Sequence, residues 1–286
     1  MKVGMMFANA GPWCLPDNAG AMAAAAEEFG VESLWTVEHV VVPKDYKSPY
    51  PYSPTGKMPG PEETPIPDPL VWLAFMAART TTVRLCTGIL ILPQRHPAVT
   101  AKEVATLDVL SNGRVTLGVG VGWLAEEFAV LGIPFEERAG RTDEAIESLR
   151  AFWTQDEPTF HGRYYDFEGA KSHPRPVQPG GVPIHVGGHT KAAARRAGRL
   201  GDGFFPGTAS FEDLGGLLDE MRKAAVDAGR DPDAIEVTAG GAMDLDGIRR
   251  YEDAGVHRMI IPPLAFDADG LRTNLEMFAT NVLSKL

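Results

Sequence analysis

The chain has 286 residues, of which 44% are hydrophobic and 23% charged, and its formal net charge is −11. That length suits one large α/β barrel or two modest domains, and it buries enough core to need no covalent staple. The acidic balance excludes nucleic acid and anionic membrane surfaces as electrostatic partners.

The first predicted element, Val3–Ala8, is an apolar run that enters the fold at once. With one lysine before it, the run is too short and too weakly flanked for a signal peptide, so a cytoplasmic protein is expected. An Ala-rich helix, Ala21–Phe29, ends at Gly30, a residue suited to the left-handed position after a helix. The run Ser33–Val37 follows. Val40–Pro67 then breaks the rhythm: eight of the chain's 23 prolines fall in it, interleaved with Tyr46, Tyr50 and Tyr52. Proline fixes φ and removes a donor, so this insertion (40–67) is a stiff arm or lid, or else a disordered surface loop. Asp68-Pro69 sets a capping residue before a first-turn proline and opens a helix to Arg79. The run Val83–Thr87 carries Cys86, expected to be a buried small hydrophobe. Cys14 and Cys86 have no metal-ligand spacing, and neither a disulfide nor a metal site is expected.

Pro97–Leu110 is a predicted helix running to a Ser-Asn-Gly turn, Val115–Val119 the fourth run, and Leu124–Leu131 a short helix after it. A second insertion, 158–181, contains Phe160–Phe167, expected as a hairpin laid over the top of the fold. Runs at Ile184–Val186, Gly203–Phe205, Ile235–Thr238 and Arg258–Ile261 alternate with helices capped at Thr190, Ser210, Asp244 and Asp267. No run approaches the roughly 18 apolar residues that span a membrane. The eight runs are continuous rather than alternating, as in parallel sheets covered on both faces. Phe29-Gly30, Leu200-Gly201 and Ala254-Gly255 each end a helix and step into an apolar strand, the joint of a repeated βα unit. The expected fold is a single (β/α)8 TIM barrel over residues 1–286. A doubly wound open sheet is the alternative, although no dinucleotide fingerprint follows the first run.

In such a barrel the chemistry sits just after the strands. Those positions are Phe7-Ala8-Asn9, Glu38-His39, Thr87-Gly88-Ile89, Gly118–Trp123 and Gly187-Gly188-His189-Thr190. Glu38-His39 sets a carboxylate beside an imidazole. Such a pair either fixes a tautomer and moves a proton near neutral pH, or closes the loop by a hydrogen bond. Gly120 and Gly122 either admit a planar ring or phosphate to the backbone or form a tight turn. Gly187 and Gly188 expose backbone N–H groups before a helix bearing Lys191, Arg195 and Arg196, the composition of a phosphate seat. Trp13, Tyr50 and Tyr52 either line an apolar substrate pocket under the proline-rich arm or pack the arm itself.

At these residues the sequence resembles the luciferase-like (bacterial-luciferase-fold) oxidoreductases, most nearly the branch assigned to the deazaflavin coenzyme F420. The resemblance spans nearly the whole chain. It is most specific from Arg84 to Trp123, through Thr87-Gly88-Ile89-Leu90, His96-Pro97, Ala105–Ser111, Gly113-Arg114 and Gly118–Trp123. Pro174–Gln178, Val186-Gly187-Gly188 and Leu200–Gly203 also match. The resemblance implies a barrel with insertions, usually a homodimer, and a tricyclic ring over the strand ends. It implies cofactor contacts at Ala8, Thr87, Gly88, Ile89, Gly120, Gly122, Gly187, Gly188, His189 and Thr190, with a cis Gly88–Ile89 peptide behind the ring. His39, oriented by Glu38, would face the reactive edge and handle the proton while a hydride passes between F420 and a small organic substrate. Flavin-using members carry a similar pair, so an FMN-dependent monooxygenase using reduced FMN and O2 is the alternative.

Overall fold

The computed structural model describes all residues except 208 and 209. Its strands are β1 (Lys2–Met5), β2 (Ser33–Thr36), β3 (Arg84–Thr87), β4 (Leu90–Ile91), β5 (Val115–Gly120), β6 (Phe160–His161), β7 (Asp166–Phe167), β8 (Ile184–Gly187), β9 (Gly203–Phe205), β10 (Glu236–Gly240) and β11 (Arg258–Ile261). Every one of the eight apolar runs yields a strand. They pair parallel in the order β3-β2-β1-β11-β10-β9-β8-β5, and Leu85↔Val115 with Cys86↔Thr116 joins β3 to β5 and closes the ring. The barrel is therefore closed, and the open-sheet alternative falls.

The third barrel strand is interrupted. After Thr87 comes the cis Gly88–Ile89 peptide at the expected bond, and the chain resumes as β4 beside Val119 and Gly120 of β5. β1 is shorter than its apolar run because Phe7 turns the backbone with φ +58. Even so, Ala8 N–H still reaches the Trp35 carbonyl at 3.1 Å.

The helices are α1 (Pro16–Phe29), α2 (Pro69–Ala77), α3 (Pro97–Leu110), α4 (Ala125–Val130), α5 (Arg138–Thr154), α6 (Lys191–Leu200), α7 (Phe211–Asp227), α8 (Leu245–Asp253) and α9 (Ala268–Asn281). The capping chemistry is as the residues dictate. Asp68 accepts from Leu70 and Val71 N–H at 2.9 Å, Thr190 accepts from Ala193 N–H, and Gly30 ends α1 at φ +77. No helix among the described residues is long and apolar enough to cross a membrane.

Two sequence expectations need correction. α5 is additional to the helices expected. Its buried Thr142, Ala145, Ile146, Leu149, Phe152 and Trp153 recur at steps of three and four, and the stripe faces the core. The hairpin exists, as antiparallel β6 and β7, but it does not cover the barrel top. Phe167 stacks on Phe152 of α5 at 4.4 Å, and Glu144 of α5 accepts the N–H groups of Arg163 and Tyr164. These apolar and carboxylate partners on α5 hold the hairpin against that helix.

Inside the barrel the layers differ. Trp35, Cys86, Phe205 and Ile260 form an apolar layer with Met6 and Ile89. Below it, at the start of the strands, Arg258 is fully buried and donates to Glu32, Glu236 and Thr238. Cys14 and Cys86 are free thiols, and burial pushes that of Cys86 up to about 12.

The glycines of β5 serve this packing. A Cβ on Gly118 would stand 1.9 Å from the Thr87 carbonyl oxygen. That neighbour is backbone and cannot swing aside. Gly118→Ala is therefore expected to cost about 1–3 kcal/mol, read as a fall in melting temperature at roughly 2–4 °C per kcal/mol.

Candidate active site at the barrel mouth

The arm after β2 is held at its two ends by one side chain. Asn9, fully buried after β1, donates to the carbonyls of Val37 and Pro67 at 2.9 and 3.0 Å and accepts from Val37 N–H at 2.8 Å. The whole insertion thus leaves and re-enters the barrel beside β1.

Glu38 does not orient His39. Its carboxylate accepts from the Ile91 N–H at 2.5 Å and from Arg95 Nη2 at 2.5 Å, and Arg95 also bonds Asp68 at 2.6 Å. Burial pushes the Glu38 carboxyl up, opposed by the Arg95 guanidinium and the Ile91 N–H. Glu38 is a latch between β2, β4 and the cap of α2. Its neighbour along the chain points elsewhere because consecutive residues on an extended segment face opposite sides.

The carboxylate that meets His39 is Glu127, in the first turn of α4 and 0% exposed. His39 Nδ1 lies 3.1 Å from Glu127 Oε2, while Glu127 Oε1 accepts from Val40 and Val41 N–H at 2.6 and 3.2 Å. A carboxylate only accepts, so Nδ1 donates and the free Nε2 of the neutral ring is the basic atom. Glu126, one residue earlier, clasps the arm further along. Its Oε1 accepts from Lys47 and Ser48 N–H at 2.6 and 3.1 Å. The Ser48 hydroxyl and these N–H groups hold its carboxyl down at about 2. Sequence reading missed this carboxylate pair. The available signal was its place, directly behind the Gly118–Trp123 strand end.

The arm's aromatic residues meet over the mouth. Trp123 packs edge-on against His39, Tyr46 and Tyr50 at 5.2–5.5 Å, Tyr50 against Tyr52 at 5.4 Å, and Tyr52 against His189 at 5.1 Å. One continuous aromatic cluster therefore bridges the end of β2 and the end of β8. Burial raises the phenols of Tyr50 and Tyr52, which stay neutral. The arm packs against the mouth through these rings.

A family model described as luciferase-like monooxygenase matches residues 8–245. This chain belongs to the luciferase-like monooxygenase family. It is an oxidoreductase by that membership. An uncharacterised protein of Mycobacterium tuberculosis is 37% identical over 274 residues, covering 93% of this chain and 94% of that one. An F420-dependent glucose-6-phosphate dehydrogenase of Amycolatopsis mediterranei is 33% identical over 255 residues, covering 86% of this chain and 70% of that one. The crystal structure of monooxygenase RslO1 from Streptomyces bottropensis superposes with a TM-score of 0.79 at 24% identity, covering 100% and 99% of the two chains.

On this luciferase-like barrel the remaining sequence candidates fall into two groups. Ala8 and Thr87 are fully buried, and Thr87 Oγ1 donates to the Gly118 carbonyl at 2.6 Å, so neither offers a side chain to a ligand. Gly120 and Gly187 make room for the Ile89 side chain, and Gly122 for Phe128 and Ile91, so these glycines are accounted for by packing within the protein. Trp13 is 1% exposed and packed in the core, which removes it from any open pocket. Lys191 and Arg195 are drawn to Glu220 of α7, and Arg196 to Asp143 of α5, so none of the three points along the helix axis.

What stays available at the end of β8 is backbone and one ring. The first N–H groups of α6 have no intrahelical partner. Gly188, at φ +125, turns the chain into that helix, and His189 Nδ1 is buried with no partner among the described residues. This donor set fits the phosphate of a ribityl-bearing cofactor.

Proposed function

We propose that this chain is an F420-dependent oxidoreductase that moves a hydride between the deazaflavin and a small organic substrate at the barrel mouth. The observation that carries it is His39, held through Nδ1 by a fully buried carboxylate and leaving Nε2 free beside Trp123. The likeness to an F420-dependent dehydrogenase over 86% of the chain supports the choice of cofactor. The bound deazaflavin supplies the hydride acceptor or donor. The α6 N-terminus, with Gly188, His189 and Thr190, holds its phosphate. His39 takes or gives the accompanying proton at Nε2, and Glu127 fixes the tautomer that makes this possible. The arm excludes water from the mouth and orients the substrate under Tyr50 and Tyr52.

Titration of the protein with F420, read by the cofactor's fluorescence, tests this. Saturable binding with one site per chain is expected. FMN binding in its place, with oxygen uptake dependent on reduced FMN, would replace this reading by the monooxygenase one. A homodimer is part of the proposal. α2 has no charged residue from Pro69 to Ala77, and its Val71 side chain is 71% exposed, as on a helix with a covered outer face. Light scattering is expected to return twice the chain mass of 30.8 kDa.

A further inference from the structure

The connections that follow β1, β5, β8, β9, β10 and β11 (residues 6–15, 121–124, 188–190, 206–210, 241–244 and 262–267) contain neither lysine nor arginine. These are six of the eight strand-end connections of the barrel. The other two supply cations that are spent or turned outward. Arg95 is bound to Glu38 and Asp68, Lys57 Nζ donates to the Tyr46 carbonyl, and Lys44 and Lys47 are exposed on the arm. The same rim carries an arc of exposed apolar side chains beside the capping carboxylates Asp244 and Asp267. Phe7, Met243 and Phe266 are 45%, 47% and 82% exposed, and they follow β1, β10 and β11, which are adjacent in the barrel. Across the mouth stand Trp123 and Tyr50.

We propose that the substrate is a neutral, apolar molecule with a flat ring system and not a phosphorylated sugar. This rests on the F420 reading above. The argument is one of partners. A phosphate dianion leaving water needs fixed cations or several N–H donors. The N–H groups at the start of α6 are assigned to the cofactor, and those at the start of α7, α8 and α9 are already capped by the Ser210, Asp244 and Asp267 side chains. A flat apolar ring needs only what the mouth offers: aromatic faces and edges and an exposed apolar arc whose burial is favourable. Lone exposed apolar residues are ordinary on protein surfaces, but three on adjacent strand ends, across the mouth from an aromatic cluster, form a surface for a ligand.

The test keeps the two layers apart. The F420 titration by itself judges the cofactor reading. Calorimetry then follows 1-tetralone, a neutral bicyclic ketone, and separately glucose 6-phosphate, each added to the full chain with and without F420. The ketone is expected to bind at least about tenfold more tightly than the sugar phosphate. Tyr50→Ala and, independently, Phe7→Ser are each expected to weaken ketone binding about threefold to tenfold, while circular dichroism melts confirm that both variants fold. Glucose 6-phosphate binding within tenfold of the ketone, absence of ketone binding, or indifference of ketone binding to both variants would each overturn the proposal, whatever the F420 result.

Discussion

Glu127→Ala is expected to lose about 3–5 kcal/mol of stability and about a hundredfold or more in hydride-transfer rate. The carboxylate is fully enclosed and is the acceptor for three donors: the His39 ring and the Val40 and Val41 N–H groups. Removing it strands all three and frees the start of the arm. Glu127→Gln separates the structural from the chemical part. The glutamine oxygen can still accept from the two backbone N–H groups, so the melting temperature should stay near that of the parent. Its NH2 group then faces Nδ1, which must become an acceptor. The ring proton moves to Nε2, and the basic atom at the mouth is lost. The expected pair of results is a near-normal melt with a rate as low as that of the alanine variant. A Gln variant with parental transient kinetics would remove Glu127 from the proton-handling role. Glu38→Gln, by contrast, should alter the melt through Arg95 without this kinetic signature.

Arg258→Leu is expected to be at least as damaging to the fold, by about 3–5 kcal/mol. Arg258 is the cation of the barrel floor, and its loss leaves Glu32 and Glu236 facing each other across a space closed by Trp35. The pH dependence identifies the cause. Glu236 is partly buried, yet Arg258 and Lys2 hold its carboxyl down at about 2, and Arg258 likewise lowers Glu32 against burial. A depressed carboxylate contributes stability above its ordinary range, and that contribution is lost as pH falls from about 4.5 toward 2. Burial lowers the His185 imidazole to about 4, so its share is present above 6.5 and is lost as pH falls through 4. Urea unfolding of the parent should therefore weaken in two steps on acidification. In Arg258→Leu the lower step should shrink, because the cation that depresses Glu236 is gone. A lower acid limb identical to that of the parent would show that Arg258 does not hold these carboxylates.

Much of the architecture was legible in the residues. β3, β9 and β11 fall within or on the expected runs, α3 runs from Pro97 to Leu110 as its proline and its Ser-Asn-Gly turn require, and Asp68 and Thr190 cap as read. These features depend on contacts within a few residues. α5 was equally legible, from its three- and four-residue apolar spacing, and its omission is a missed pattern rather than a missing signal. The strand-end glycines show the opposite case. Gly120 and Gly187 look like a seat for a ligand, yet their neighbour is Ile89, and only the path of the chain after the Gly88–Ile89 peptide brings that side chain to them.

By itself the sequence determined the ring of strands and the end of it at which His39 emerges. Continuous apolar runs can be satisfied only in a sheet covered on both sides, and the residues just after such strands must emerge at one end. The partner of His39 was decided by tertiary structure alone. Glu127 is 88 residues away, on the helix after β5, and closure of the barrel brings it under the arm. Glu38, next to His39 in the chain, is turned away by the alternation of an extended backbone and captured by Arg95. The charge on the mouth was likewise written in the residues, but its meaning depended on the fold. Six cation-free segments scattered along 286 residues become one rim without lysine or arginine only when the eight strand ends are gathered together.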